Sequence, residues 1–93
     1  MLNYGTYKGI DYWSLDNPLS KYETTIVLRE DWTYTQTNFI IVGKMTETYS
    51  GTFKIVEDEN LGRIIILSED DSYYKITGNN ELTSKNGAII KYE

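Results

Sequence analysis

The side chains of this 93-residue chain that could carry chemistry are acids, hydroxyls and aromatic rings, because it contains no His and no Cys. Without His, the commonest general base and transition-metal ligand is missing. Without Cys, there is no thiol nucleophile, disulfide or thiolate site. Triads of the Ser-His type, zinc centres and redox thiols are thereby excluded. What remains is carboxylate chemistry, and Asp70-Asp71 is the pair a glycosidase would use. That reaction needs two carboxyls facing each other across a substrate cleft. Neighbours in sequence on a hairpin point apart, and a domain this small has no depth for such a cleft. The chain is therefore read as a non-enzyme, and no cofactor is implied.

Two other groups of residues could bind rather than react. Glu30 and Asp31 in one turn, and Glu57, Asp58 and Glu59 in another, would gather five carboxylates at one rim if their hairpins were neighbours. Calcium takes six to eight oxygens, so such a rim could hold it. Asp58-x-Asn60-x-Gly62 carries part of a calcium-loop pattern, although Asp, Asn and Gly are also ordinary turn residues. The second group is aromatic. Tyr12 and Trp13 fall in the long connection Asp11–Lys21, and Trp32 follows the Glu30-Asp31 turn. Rings with a polar surround suit a ligand or partner contact; the alternative for Tyr12 and Trp13 is that both turn inward and cork the fold.

The elements that position these residues are strands. The sequence is rich in Thr, Ile and Tyr, turn residues recur every eight to twelve positions, and no segment keeps a helical period. Strands are expected near 4–10, 22–29, 32–42, 45–56, 63–68, 72–77, 81–84 and 88–92. Connections this short make successive strands antiparallel neighbours. The fold class is all-β: one domain over residues 1–93, an up-and-down meander of eight strands closed, or nearly closed, into a small barrel, since closure removes the exposed edges. Alternation places Tyr22, Thr24, Ile26 and Leu28 on one face. Tyr7, Tyr34, Tyr49, Phe53 and Tyr74 are expected in the interior. The repeated Gly5-Thr6-Tyr7-Lys8 and Gly51-Thr52-Phe53-Lys54 read as strand bends, each followed by an aromatic core plug. The Asp11–Lys21 segment holds the single Pro and reads as a functional loop over a barrel mouth, with one helical turn capped by Ser14 or Asp16, a plain lid being the alternative. Trp32 disfavours a positive φ, so a turn longer than the tight two-residue type is expected before it.

The run Tyr22-Glu23-Thr24-Thr25-Ile26-Val27-Leu28-Arg29-Glu30-Asp31-Trp32-Thr33-Tyr34-Thr35, with Tyr7-Lys8-Gly9 before it and Ser50-Gly51-Thr52-Phe53 after it, resembles the N-terminal domain of the NlpE copper-resistance lipoproteins. Ile64–Leu67, Tyr74-Lys75-Ile76 and Glu81-Leu82-Thr83 keep the same order. The resemblance implies a small lipocalin-like barrel at the bacterial cell envelope or periplasm. It departs from that family in lacking the Cys-x-x-Cys loop, whose place is taken by Asp11–Lys21, and the lipid-anchoring N-terminal Cys. Copper or redox sensing through that motif does not carry over.

The expected function is a non-enzymatic binding or interaction module. Two alternatives stand beside it: a lipocalin-like carrier of a small apolar ligand held among the interior rings, and a self-associating β protein, a homodimer paired through a strand edge. A net charge of −5 without a basic cluster argues against nucleic acid as a partner. Apolar runs of three or four residues argue against membrane insertion. The chain shows no signal peptide, which is equally compatible with the cytoplasm.

Overall fold

The computed structural model describes residues 3–13, 16–68 and 72–93, and of Pro18 and Ser72 the backbone alone. Eight strands follow one another: β1 (Gly5–Tyr12), β2 (Lys21–Leu28), β3 (Thr33–Ile40), β4 (Met45–Asp58), β5 (Gly62–Leu67), β6 (Ser72–Gly78), β7 (Glu81–Ser84) and β8 (Ile89–Tyr92). Each pairs antiparallel with the next, and β8 returns to β1, so the meander closes as a barrel. The strands form where β-branched and aromatic residues alternate with polar ones, and they stop at Gly, Asn and Asp. Gly43, Gly62 and Gly87 have φ of 89°, 78° and 88°, the left-handed conformation that a residue without Cβ takes at little cost.

β1 runs two residues past the expected boundary, so Asp11 and Tyr12 are strand residues rather than loop residues. The connection after it contains a short 3-10 turn, Pro18–Ser20. Its cap is Asn17, whose side chain accepts the Leu19 N–H at 3.0 Å, in place of the expected Asp16; Ser14 lies outside the described residues. The connection thus has one short 3-10 turn, with a different capping residue.

β4 is the long strand, and its length governs both ends of the barrel. Its first half pairs with β3, from Met45 opposite Ile40 to Thr52 opposite Thr33. Its second half pairs with β5, from Phe53 opposite Leu67 to Asp58 opposite Gly62. Strands in a closed barrel must be staggered, and here much of the stagger falls on β4. Two hairpin tips consequently project in opposite directions: residues 41–44 beyond one mouth and residues 59–61 beyond the other.

The stagger corrects the expected acidic rim. Asp58 stands six positions beyond Thr52 on β4, which is roughly 20 Å of strand from the level of the Glu30-Asp31 turn. Meander order makes the two hairpins neighbours, but shear separates their tips. Among the described residues no group of three acids is placed to hold a metal ion.

The interior agrees with the alternation. Tyr7, Tyr34, Phe53 and Tyr74 are buried with Ile26, Leu28, Ile65, Leu67, Leu82 and Ile90, and Tyr49 packs partly buried against them. Both aromatic plugs of the Gly-Thr-aromatic-Lys repeat, Tyr7 and Phe53, lie in this core. At the β1–β8 seam the backbones approach so closely that a Cβ on Gly9 would stand 2.5 Å from the Ile89 carbonyl oxygen.

Candidate functional site

The barrel interior changes character along its axis. Toward the mouth with Trp32, its residues are apolar. Toward the other mouth, the same alternation brings polar side chains inward: Thr24 and Asn38 opposite each other on β2 and β3, Gln36 one step below, and Asp11 and Ser84 from β1 and β7.

These polar groups form two linked sets. The Thr24 hydroxyl donates to Asn38 Oδ1 at 2.7 Å. The Gln36 amide Nε2 reaches Thr24 Oγ1 at 3.2 Å, Asn38 Oδ1 at 3.3 Å and the Tyr74 hydroxyl at 3.0 Å. Gln36 is 1% exposed, and among the described residues its Oε1 has no partner. Removing such an acceptor from water without a hydrogen bond costs on the order of 1–3 kcal/mol.

The second set surrounds Asp11, which is 3% exposed. Its Oδ1 accepts the Tyr12 N–H at 2.7 Å and the Ser84 hydroxyl at 3.1 Å. Ser84 Oγ in turn accepts the backbone N–H groups of Asn86 and Ala88 at 3.2 and 3.1 Å. The Asn86 side-chain amide donates to the Tyr12 carbonyl. The β7–β8 turn is thus tied to the end of β1, and the carboxylate is fixed in position. Its Oδ2 has one long contact, 3.4 Å from the Tyr22 hydroxyl.

Above these groups stand the rings. Trp13 is 54% exposed, so it does not cork the barrel. It lies nearly parallel to Tyr22, 5.9 Å between centroids at 16°. Stacking holds the indole in place while leaving one face to solvent. On one side of the stack is a hollow of about 230 Å³ reaching Asp11, Tyr73, Tyr74 and Ser84. On the other is one of about 310 Å³ over Asn38, Ile40 and Glu47. Tyr12, the last residue of β1, lines the first hollow beside Trp13.

Trp32 is at the opposite mouth, 47% exposed and tilted against Phe53 at 5.3 Å. A longer turn does precede it, with the Trp32 N–H bonded to the Arg29 carbonyl at 3.1 Å. The expectation that Trp would avoid positive φ fails, however: φ is 66°. Asp31 accepts both the hydroxyl and the N–H of Thr33, at 2.6 and 3.1 Å, and these bonds lower its pKa from the usual carboxylate value. Phe53 is seated where the turn meets β4, and contact with its ring accompanies the strained backbone. A hollow of about 170 Å³ between Tyr4, Leu28, Trp32 and Phe53 opens here.

The remaining acids of the proposed calcium set are held locally. Glu57 pairs with Arg63 at 3.0 Å, and Asp58 Oδ1 caps its own turn through the N–H groups of Asn60 and Leu61 at 2.8 and 3.0 Å. Glu30 and Glu59 are exposed. Asp70-Asp71 falls outside the described residues. Of the five rings expected inside, Tyr74 reaches the hollow at the Trp13 mouth and Phe53 the hollow at the Trp32 mouth; Tyr7 and Tyr34 are fully buried core.

Reading the sequence missed Asp11, Gln36, Asn38 and Ser84 as site residues. The signal was available for three of them. Continuing the inward series Tyr7, Gly9 puts Asp11 inside, and Tyr34 leads to Gln36 and Asn38 by the same step of two. Comparison with family models, with curated proteins and with solved structures finds no match to this chain.

Proposed function

We propose that the protein is a non-enzymatic binding module that takes a small molecule at the Trp13 mouth of its barrel, in the manner of the envelope domains that the NlpE-like resemblance implies. The observation that carries this reading is the half-exposed Trp13, stacked on Tyr22 beside two hollows, one reaching Asp11 and Ser84 and the other Asn38. Sites for small molecules are concave, with apolar walls and a few convergent polar groups, and this mouth has that form.

The test uses the two indoles as internal controls. In an NMR screen of a fragment library, hits are expected to shift the Trp13 indole N–H and leave that of Trp32 in place, and Trp13→Ala is expected to abolish them. A screen whose hits all fall on Trp32, or that yields none, overturns the reading.

The first residues of β4, Met45–Thr48, favour a second reading, association with another copy of the chain. Phe53 begins the β5 ladder, and the last bond on that side joins the Ser68 N–H to the Thr52 carbonyl. Among the described residues no strand pairs with Met45–Thr48 there. Met45 and Val42 at the tip are 60% and 51% exposed. Unpaired edges with apolar neighbours recruit further strands. Sedimentation velocity would show a concentration-dependent dimer that Thr48→Lys dissolves; a monomer at every concentration removes this reading.

A further inference from the structure

We infer that the hollow beside Asp11 binds an alkylammonium group, an inference that rests on the Trp13 mouth being the binding site. Three observations converge there. Asp11 is buried, and among the described residues no Lys or Arg forms an ion pair with it. A carboxylate withdrawn from water without a counter-charge is costly, and a cation supplied from outside relieves that cost. Its Oδ1 is already used by Tyr12 and Ser84, whereas Oδ2 retains acceptor capacity beyond the long Tyr22 contact.

The walls of the hollow are aromatic. Trp13, Tyr22, Tyr73 and Tyr74 line it together with Asp11. Ring faces attract cations through their quadrupoles, most strongly where water is excluded, and grouped rings beside an acid suit an ammonium better than a neutral or anionic ligand. The chain supplies its own illustration: Lys85, which also lines the hollow, holds its Nζ 5.9 Å from the Tyr73 ring centroid. An ammonium thus already occupies one aromatic face at the edge of the hollow. The net charge of −5, and Glu47 in the adjoining hollow, add long-range attraction of the same sign.

The cation comes from a free small molecule or from a lysine side chain of a peptide; both present a cationic nitrogen to the rings and to Asp11, and lysine adds N–H donors for Oδ2. Calorimetric titration of the intact protein with choline, with its neutral isostere 3,3-dimethylbutan-1-ol, and with an acetylated, amidated Gly-Lys-Gly peptide separates the cases. Choline or the peptide is expected to bind and the neutral isostere to bind about ten-fold more weakly or not at all; the tighter of the first two identifies the source. Asp11→Asn keeps the acceptor that Tyr12 and Ser84 use and removes the charge. It is expected to weaken binding about ten-fold with the amide spectrum unchanged elsewhere. Lys85→Met removes the resident cation and is expected to tighten binding by about two- to five-fold. Equal binding of choline and its isostere overturns the inference while leaving the mouth as a binding site. Absence of binding by choline and peptide in both wild type and Lys85→Met also overturns it, and the fragment screen then decides separately whether the mouth binds anything.

Discussion

Trp32 combines two opposing effects in one residue. Its left-handed backbone, φ 66°, costs roughly 1–2 kcal/mol for a residue with a Cβ, while its ring covers Phe53. Trp32→Ala keeps the strain and loses the ring, whereas Trp32→Gly loses both. Chemical denaturation is therefore expected to find the Gly variant more stable than the Ala variant by about 1 kcal/mol, the reverse of their order in an ordinary strand. Tyr7 gives a prediction in pH. Burial raises its pKa from 10.0 to about 12, and its hydroxyl donates to the Asn3 carbonyl at 2.6 Å. The folded state thus favours the neutral phenol. Stability should hold below pH 10 and fall as pH rises from there toward 12. Tyr7→Phe should lose about 1 kcal/mol at neutral pH through the missing hydrogen bond and show a shallower alkaline decline. At this scale the sequence was informative wherever alternation decided orientation, as for Tyr7, Tyr34 and Phe53. It was misleading at Trp32, because conformational preference is a local average and contact with Phe53 is not local. Asp11 was lost for a smaller reason: a boundary placed at residue 10 cut off the inward series one step before it.

At the scale of elements, closure is made at the β1–β8 seam. Tyr7, Lys8 and Gly9 face Tyr92, Lys91 and Ile90 there. An added methyl at Gly9 would meet the Ile89 carbonyl oxygen at 2.5 Å and Ile90 Cδ1 at 2.6 Å. Gly9→Ala is expected to destabilise by about 1–3 kcal/mol, measured by urea unfolding, with hydrogen exchange quickening first in β8. A variant as stable as the parent would show that the seam gives way easily. All eight strands and their order could be read from the sequence, because each is bounded by turn residues and joined by a short connection. The division of β4 could not. Nothing within Met45–Asp58 marks where pairing passes from β3 to β5; that point is set by the shear closure requires. The acidic rim expected from loop order failed for this reason, since loop order fixes which turns are neighbours but not how far stagger separates their tips.

For the molecule as a whole, two described ion pairs, Lys8–Glu93 and Arg63–Glu57, are both solvent-exposed and contribute little. Stability comes from the core. The barrel is apolar toward one mouth and polar toward the other, and the two Trp residues mark those two ends. The candidate site was half legible. Trp13 stood out because it lies in the longest connection and Tyr12 because it adjoins it, while Ser84 matters only once closure brings β7 and β8 round to β1. The most direct test of a binding site at the Trp13 mouth is a residue-by-residue map of backbone amide shifts during choline titration. Shifts concentrated at Asp11–Trp13, Tyr22, Tyr73–Tyr74 and Ser84–Asn86, with the Trp32 turn unmoved, are the predicted result. Shifts centred on the Trp32 mouth, or spread evenly over the outer wall, would contradict it.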